Sequence, residues 1–138
     1  MAHIISTQDK LTWARTIYGE ARGEPHEGRL AVAFVSYNRA QISRRTVAQE
    51  CLKRQQFSCW NPIDPNRSLL LRLQGKDLSD YFLLIDQVLA GIVDPSHGAT
   101  FYHTLAVSPP WSHGETPCAQ VGHHVFYRNI APYVLRHS

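Results

Sequence analysis

The chain is poor in the features that would place it in several large classes. Its amino terminus, MAHIISTQDK, has no charged leader and only two adjacent strongly apolar residues, Ile4 and Ile5, so it reads as neither an export signal nor a membrane anchor. Three cysteines, Cys51, Cys59 and Cys118, cannot all pair, and none forms a C-x-x-C. A disulfide framework is therefore not the organising device, although a single bridge is open to them. Lysine is confined to Lys10, Lys53 and Lys76, and no run of like charge extends beyond Arg44-Arg45. The net charge of +3 suits an anionic partner such as a cell wall, a membrane surface or a nucleic acid, but the dense basic stripe of a nucleic-acid binder is missing. Internal repeats, low-complexity tracts and linkers are absent as well.

What is there is ordinary globular material, with 43% hydrophobic and 18% charged residues. The length of 138 residues suits one domain spanning 1–138, and a chain of this size buries roughly 68% of its unfolded surface.

Ser6 or Thr7 can cap a first helix, with Asp9 in its first turn, and Leu11, Ala14, Ile17, Tyr18 and Ala21 recur at helical spacing until Gly23 and Pro25 stop it. A second helix is predicted from about His26 to Arg39; its middle, Leu30 to Val35, is apolar on every side and marks the central core element. A short helix follows from Thr46 to Arg54, then a loop from Gln55 to Pro65. Ser79 reads as the cap of another helix carrying Phe82, Ile85, Val88, Leu89 and Ile92, ended by Gly91 and Asp94-Pro95. Beyond residue 95 the aromatic and β-branched runs Thr100 to Thr104 and His124 to Tyr127 read as short strands. The expected class is α+β: a mainly helical first part, a small β-sheet in the C-terminal part and a cleft between them.

On a helical wheel at about 100° per residue, Glu20 falls about 20° from Trp13, on the border of the apolar stripe. A carboxylate half-sunk beside an aromatic ring is desolvated, and desolvation favours the protonated form that can donate a proton. Position alone favours Glu20 and Glu24 as solvated helix-end charges paired with Arg15 or Arg22.

The string from Trp13 through Tyr18-Gly19-Glu20-Ala21-Arg22-Gly23-Glu24 is followed by Gly28, Ala31-Val32-Ala33 and Asn38-Arg39. Further on come Gln56-Phe57-Ser58-Cys59-Trp60, Gly91 with Asp94-Pro95, Gly98-Ala99, Phe101-Tyr102-His103, Pro110-Trp111 and Gly122-His123-His124-Val125-Phe126-Tyr127. In this order, over nearly the whole chain, the sequence resembles the SleB/CwlJ-type cell wall hydrolase family. The resemblance implies a single peptidoglycan-cleaving domain with a lysozyme-like or lytic-transglycosylase-like cleft and one catalytic glutamate, which here is Glu20. Glycosidic cleavage needs an acid to protonate the leaving oxygen, in agreement with that role.

A hydrolase that uses water usually needs a second carboxylate, whereas a lytic transglycosylase manages with one. Glu24, Glu27, Asp64, Asp94 and Glu115 are the candidates, and none has a spacing that demands partnership with Glu20. The expected activity is thus a lytic transglycosylase cleaving the β-1,4 bond between N-acetylmuramic acid and N-acetylglucosamine. A muramidase using water and a non-catalytic peptidoglycan-binding module are the alternatives.

Sugar binding needs flat apolar surface and fixed hydrogen-bonding groups, which Gln56, Phe57 and Ser58 offer in one loop and Tyr102, His103 and Trp111 offer in the second half. Strand alternation sends Phe101 and Tyr102 to opposite faces, so at most one of them lines a cleft. Five metal-capable residues, His103, His113, Cys118, His123 and His124, lie in one stretch, but there is no H-E-x-x-H and no helical i, i+4 pair. Neither a metal nor a cofactor is expected. Cys59 lacks a context that would activate it, so a packed thiol, or a bridge to Cys118 or Cys51, is favoured over a nucleophile. A minimal domain of this kind without an export signal resembles a phage or prophage endolysin. That implies a monomer made in the cytoplasm and released to the wall through a membrane hole made by another protein, with peptidoglycan glycan strands as partner, no nucleic acid and no membrane insertion.

Overall fold

A computed structural model describes residues 5–53 and 57–130. Helix α1 (Thr7–Ala21) begins where the Ser6 hydroxyl accepts the Asp9 backbone N–H at 3.0 Å, and it buries Trp13, Ala14, Thr16, Ile17 and Ala21. Helix α2 (His26–Ser43) follows at once, behind Pro25. Its apolar middle is covered on two sides. Leu30, Ala33 and Phe34 join Trp13 and Ile17 in the helical core, while Ala31, Val32 and Val35 join Ala21, Ala99 and Phe126 in a second core under the sheet. A helix caught between two cores has no polar face over that stretch, which accounts for the unbroken apolar run.

The helix also runs past Arg39 to Ser43 and stops at Arg44, whose left-handed backbone (φ 58°) lets its N–H reach the Ala40 carbonyl. Arg39 is buried inside the fold, so its charge does not mark a helix end. Helix α3 (Val47–Leu52) starts with a reciprocal cap in which Thr46 Oγ1 accepts from Gln49 N at 3.1 Å and Gln49 Oε1 from Thr46 N at 3.0 Å. Arg54, Gln55 and Gln56 lie outside the described residues. A single 3₁₀ turn, Ser58–Trp60, occupies the expected loop.

Helix α4 (Asn66–Arg72) was not predicted; it is seated on α1 through Leu70, which is fully buried. Helix α5 (Ser79–Leu89) buries Tyr81, Leu84, Ile85 and Val88 against α1 and α2. Ser79 is its first residue, with Leu78 at the cap position, and Ile92 lies beyond its end at 39% exposure.

Strands β1 (Phe101–Thr104), β2 (Ala119–Val121) and β3 (His124–Tyr127) form an antiparallel sheet in the order β1-β3-β2. The fold is thus a mainly helical part followed by a small three-stranded sheet, as the class reading expected. Strand β2 was not predicted: its three residues are too few for a period, and pairing with β3 defines them. Residues Gly122 and His123 make the two-residue turn between β2 and β3, with Gly122 at φ +58°, a conformation glycine adopts without a side-chain clash. Tyr102 lies opposite Phe126 and Thr104 opposite His124, so Tyr102, Phe126 and His124 share the sheet face turned toward the helices. Phe101, Val125 and Tyr127 pack on the other face with Trp111 and Ile130.

Two residues near the end of α2 tie it to the start of the sheet. Asn38 Nδ2 donates to Asp94 Oδ2 and to the Ala99 carbonyl, both at 2.9 Å. Arg39 Nε donates to the Thr100 carbonyl, and its guanidinium lies between the Phe57 and Phe101 rings, 5.0 and 4.4 Å from their centroids. Asp94 in turn accepts from Ser96 N, Ser96 Oγ and Gly98 N, closing the loop that delivers β1. These clamps set where Tyr102 stands.

Candidate active site

Glu20, one residue before the end of α1, is half-buried where the helices meet the sheet. Its Oε1 accepts the Tyr102 phenol at 2.5 Å, and its Oε2 accepts the Cys59 backbone N–H at 3.2 Å and, more loosely, the Ser58 hydroxyl at 3.4 Å. The preceding glycine makes that approach possible. A Cβ on Gly19 would stand 2.8 Å from Cys59 Cβ and 2.9 Å from both Cys59 Sγ and Leu70 Cδ1, closer than real carbon atoms come. The Tyr-Gly-Glu string therefore couples a bare helix surface to the carboxylate beside it.

The aromatic neighbour of Glu20 is Tyr102 and not Trp13. Seven residues of helix separate Glu20 from Trp13 by about 10 Å along the axis, and Trp13 is fully buried with its ring stacked on Tyr37. The helix-end ion pairs do not form either. Arg15 donates to the Leu71 and Leu73 carbonyls, and Arg22 donates to Asn66 Oδ1 while lying over the Tyr18 ring.

Tyr102 is wedged between rings, with Phe57 at 6.5 Å, Phe126 at 5.7 Å and His124 edge-on at 4.9 Å. Burial, and then the nearby Glu20 charge, push its phenol well above the ordinary tyrosine range, so it stays a proton-bearing hydroxyl. A hydroxyl can both donate and accept, so Tyr102 and Ser58 can serve Glu20 as a carboxylate or as a carboxylic acid.

Glu24, expected as a solvated helix-end charge, lies three residues beyond α1 and is only 8% exposed. Its Oε1 accepts His123 N at 2.6 Å and its Oε2 meets His123 Nδ1 at 2.7 Å. His124 Nδ1 comes within 2.9 Å of Oε1, off the axis of a directed hydrogen bond. Two glycines make the space: a Cβ on Gly28 would be 3.0 Å from Glu24 Cβ, and one on Gly122 would be 2.8 Å from Oε1. Burial alone would raise the Glu24 carboxyl. The hydrogen bonds from the His123 ring and backbone, with the charges of His124 and His123, outweigh it and hold Glu24 below its ordinary value.

Of the residues expected to touch substrate, the fold brings Ser58 and Tyr102 to Glu20. Phe57 is 1% exposed and supports Tyr102 from beneath, between that ring and Arg39. His103 and Trp111 stand apart from Glu20, on the far face of the sheet, where His103 Nε2 is 2.9 Å from the Tyr127 hydroxyl and Trp111 packs edge-on against His103, Phe101 and Tyr127. Gln56 lies outside the described residues.

All three cysteines are free. Burial, followed by the Glu20 charge, pushes the Cys59 thiol far above its ordinary range, and burial takes Cys51 to about 12, so both are packed thiols. Among the described residues no group of three or more His, Cys, Asp and Glu side chains is arranged to hold a metal ion. No helix among them is long and apolar enough to cross a membrane.

A helical part completed by a small three-stranded sheet is the fold of solved SleB catalytic domains. The catalytic domain of the Bacillus cereus SleB protein superposes with a TM-score of 0.76 at 23% identity, covering 91% of this chain and 94% of that one. The catalytic domain of the germination-specific lytic transglycosylase SleB from Bacillus anthracis superposes with a TM-score of 0.73 at 22% identity, covering 93% and 100%. The pattern of the Cell Wall Hydrolase family matches residues 23–127, and the chain belongs to that family. It is also 28% identical over 130 residues to the spore cortex-lytic enzyme of Bacillus subtilis (strain 168), spanning 88% of this chain and 38% of that protein's length.

Proposed function

We propose that the chain cleaves the β-1,4 bond between N-acetylmuramic acid and N-acetylglucosamine in peptidoglycan as a lytic transglycosylase, with Glu20 as acid and then base. Glu20 first gives its proton to the glycosidic oxygen as the bond to C1 breaks. The carboxylate then takes the proton from the muramic C6 hydroxyl, whose oxygen closes onto C1 to give the 1,6-anhydro end. Proton and oxygen balance without a water. Tyr102 and Ser58 follow the carboxyl through both protonation states, and the Cys59 N–H holds Oε2 in place.

The observation that carries this reading is that the structure engages three of the candidate second carboxylates away from Glu20. Glu24 is spent on His123 and His124, Asp94 on the loop before β1, and Asp64 on the Asn66 N–H at the start of α4. A water-using retaining or inverting glycosidase places a second working carboxylate across the bond; the one-carboxylate scheme needs none. The name of the Bacillus anthracis relative, a lytic transglycosylase, supports the same choice. The spore cortex-lytic relatives lend no support to an endolysin origin.

Mass spectrometry of digested walls tests the outcome. Anhydromuramic ends are expected, and reducing muramic ends would replace the reading with a muramidase. Glu20→Gln should slow clearing of a wall suspension by about 100-fold or more while the protein still co-sediments with walls. A variant that clears walls like the parent would remove Glu20 from the chemistry and leave a binding module as the better description.

A further inference from the structure

Resting on the reading of Glu20 as acid and base, we propose that Glu24 is a positioning residue for that reaction, acting through His124 and Tyr102. The two carboxylates are joined by one imidazole and one phenol: Glu24 Oε1 to His124 Nδ1 at 2.9 Å, the His124 ring edge-on to the Tyr102 ring at 4.9 Å and 90°, and the Tyr102 hydroxyl to Glu20 Oε1 at 2.5 Å.

The seat of Glu24 is more elaborate than a turn requires. A two-residue hairpin closes on its own backbone, so burying a carboxylate under it adds a desolvation cost that the turn does not need. Here that carboxylate receives both the backbone and the ring of His123 and also touches His124, and two glycines are bare where side chains would evict it. Only one of these contacts leads inward. The His123 side chain is 77% exposed, whereas that of His124 is 4% exposed and lies on the sheet face that carries Tyr102.

Sealed at 4% side-chain exposure, with Nδ1 against Glu24 Oε1 on one side and Tyr102 at right angles on the other, the His124 ring has no room to swing. With Phe57 and Phe126 on other sides, the phenol then has one resting place, and its hydroxyl sets Glu20 Oε1. Through Tyr102 the Glu20 carboxyl is oriented by two nearly sealed groups, Glu24 and His124, an arrangement whose loss costs a site about 10–100-fold.

The test is a double-mutant cycle of Glu24→Gln and Tyr102→Phe, with kcat and KM measured on soluble glycan strands well below the melting temperature. Each single change is expected to lower kcat by about 10–100-fold with KM within about twofold, and the pair to be no slower than the slower single variant, because both act through one phenol. Losses that multiply in the double variant would overturn the proposal, as would parental kcat in Glu24→Gln. Should Glu24→Gln not fold, His124→Phe keeps a ring on Tyr102 and leaves Glu24 with His123. It should lose kcat to a similar extent, and full activity would count against the relay. Glu20→Gln run alongside separates the two readings. If it stays active, the acid-base reading fails whatever the cycle shows; if it is inactive and the cycle multiplies, only the positioning role fails.

Discussion

Glu20 and Glu24 lie four residues apart in the chain, yet the fold treats them in opposite ways. Glu20 is half-buried and meets two hydroxyls and one backbone N–H, partners that tolerate a proton arriving or leaving. Glu24 is nearly sealed, walled by bare glycines and held by the His123 backbone and ring, whose hydrogen bonds keep its carboxyl below the ordinary value. In the proposed reaction the same functional group is a reagent in one seat and a fixture in the other. The difference is made by what the neighbours can donate, not by distance along the chain.

Thermal stability should expose that contrast most strongly. Glu24→Gln strands donors around a buried site and is expected to cost about 1–3 kcal/mol, whereas Glu20→Gln should leave the melting temperature unchanged or raise it, since reactive groups are commonly held at some cost to stability. Equal losses in calorimetry would erase the distinction between reagent and fixture.

Gly19→Ala comes next. Overpacking against Cys59 and Leu70 is expected to cost about 1–3 kcal/mol, offset in part by about 1 kcal/mol of helix propensity, and it should lower kcat by moving the Cys59 N–H from Glu20. A stable variant with parental kcat would mean that this N–H does not matter.

A smaller effect is set by pH. Burial holds His124 below its ordinary 6.5, against the opposing pull of Glu24 and Glu20. Between its folded value and 6.5 the unfolded chain binds more protons, so stability falls as pH drops below about 6.5. Glu24, held below 4.5, adds a second loss of the same sign below that pH. Melting temperatures followed downward from neutral pH should show the first loss in the parent and not in His124→Phe; parallel curves would show that His124 is not its source.

The smallest effect is expected at Ser58→Ala. The 3.4 Å contact to Glu20 is long, so kcat should fall less than about threefold, in keeping with a weak, half-solvated hydrogen bond. A much larger loss would mean that Ser58 works on the substrate itself.

Local patterning made much of the fold legible. The Ser6 and Thr46 caps, the apolar period of α5 and the alternating aromatics of β1 and β3 all act within a few residues, and they stand where the sequence puts them. Helix α4 and strand β2 escaped because each is defined by what it packs on: Leu70 on α1, and Ala119 to Val121 on β3. Neighbouring letters also misled. Tyr102 and His103 are adjacent, but the pleat sends one to Glu20 and the other to Tyr127. Glu24 carried a usable signal in Gly28 and in Gly122-His123-His124, but a bare glycine says only that something comes close.

By itself the sequence determined an α+β fold whose Tyr-Gly-Glu string offers a carboxylate at a helix end, because propensity, capping and hydrophobic period are properties of neighbouring residues. Only the tertiary structure decided which carboxylate is left half-exposed and which is sealed. The groups that distinguish Glu20 from Glu24 arrive from far along the chain, Cys59 from 39 residues away, Tyr102 from 82 and His123 from 99. Hydrogen bonding and burial act through space, and no local pattern encodes them.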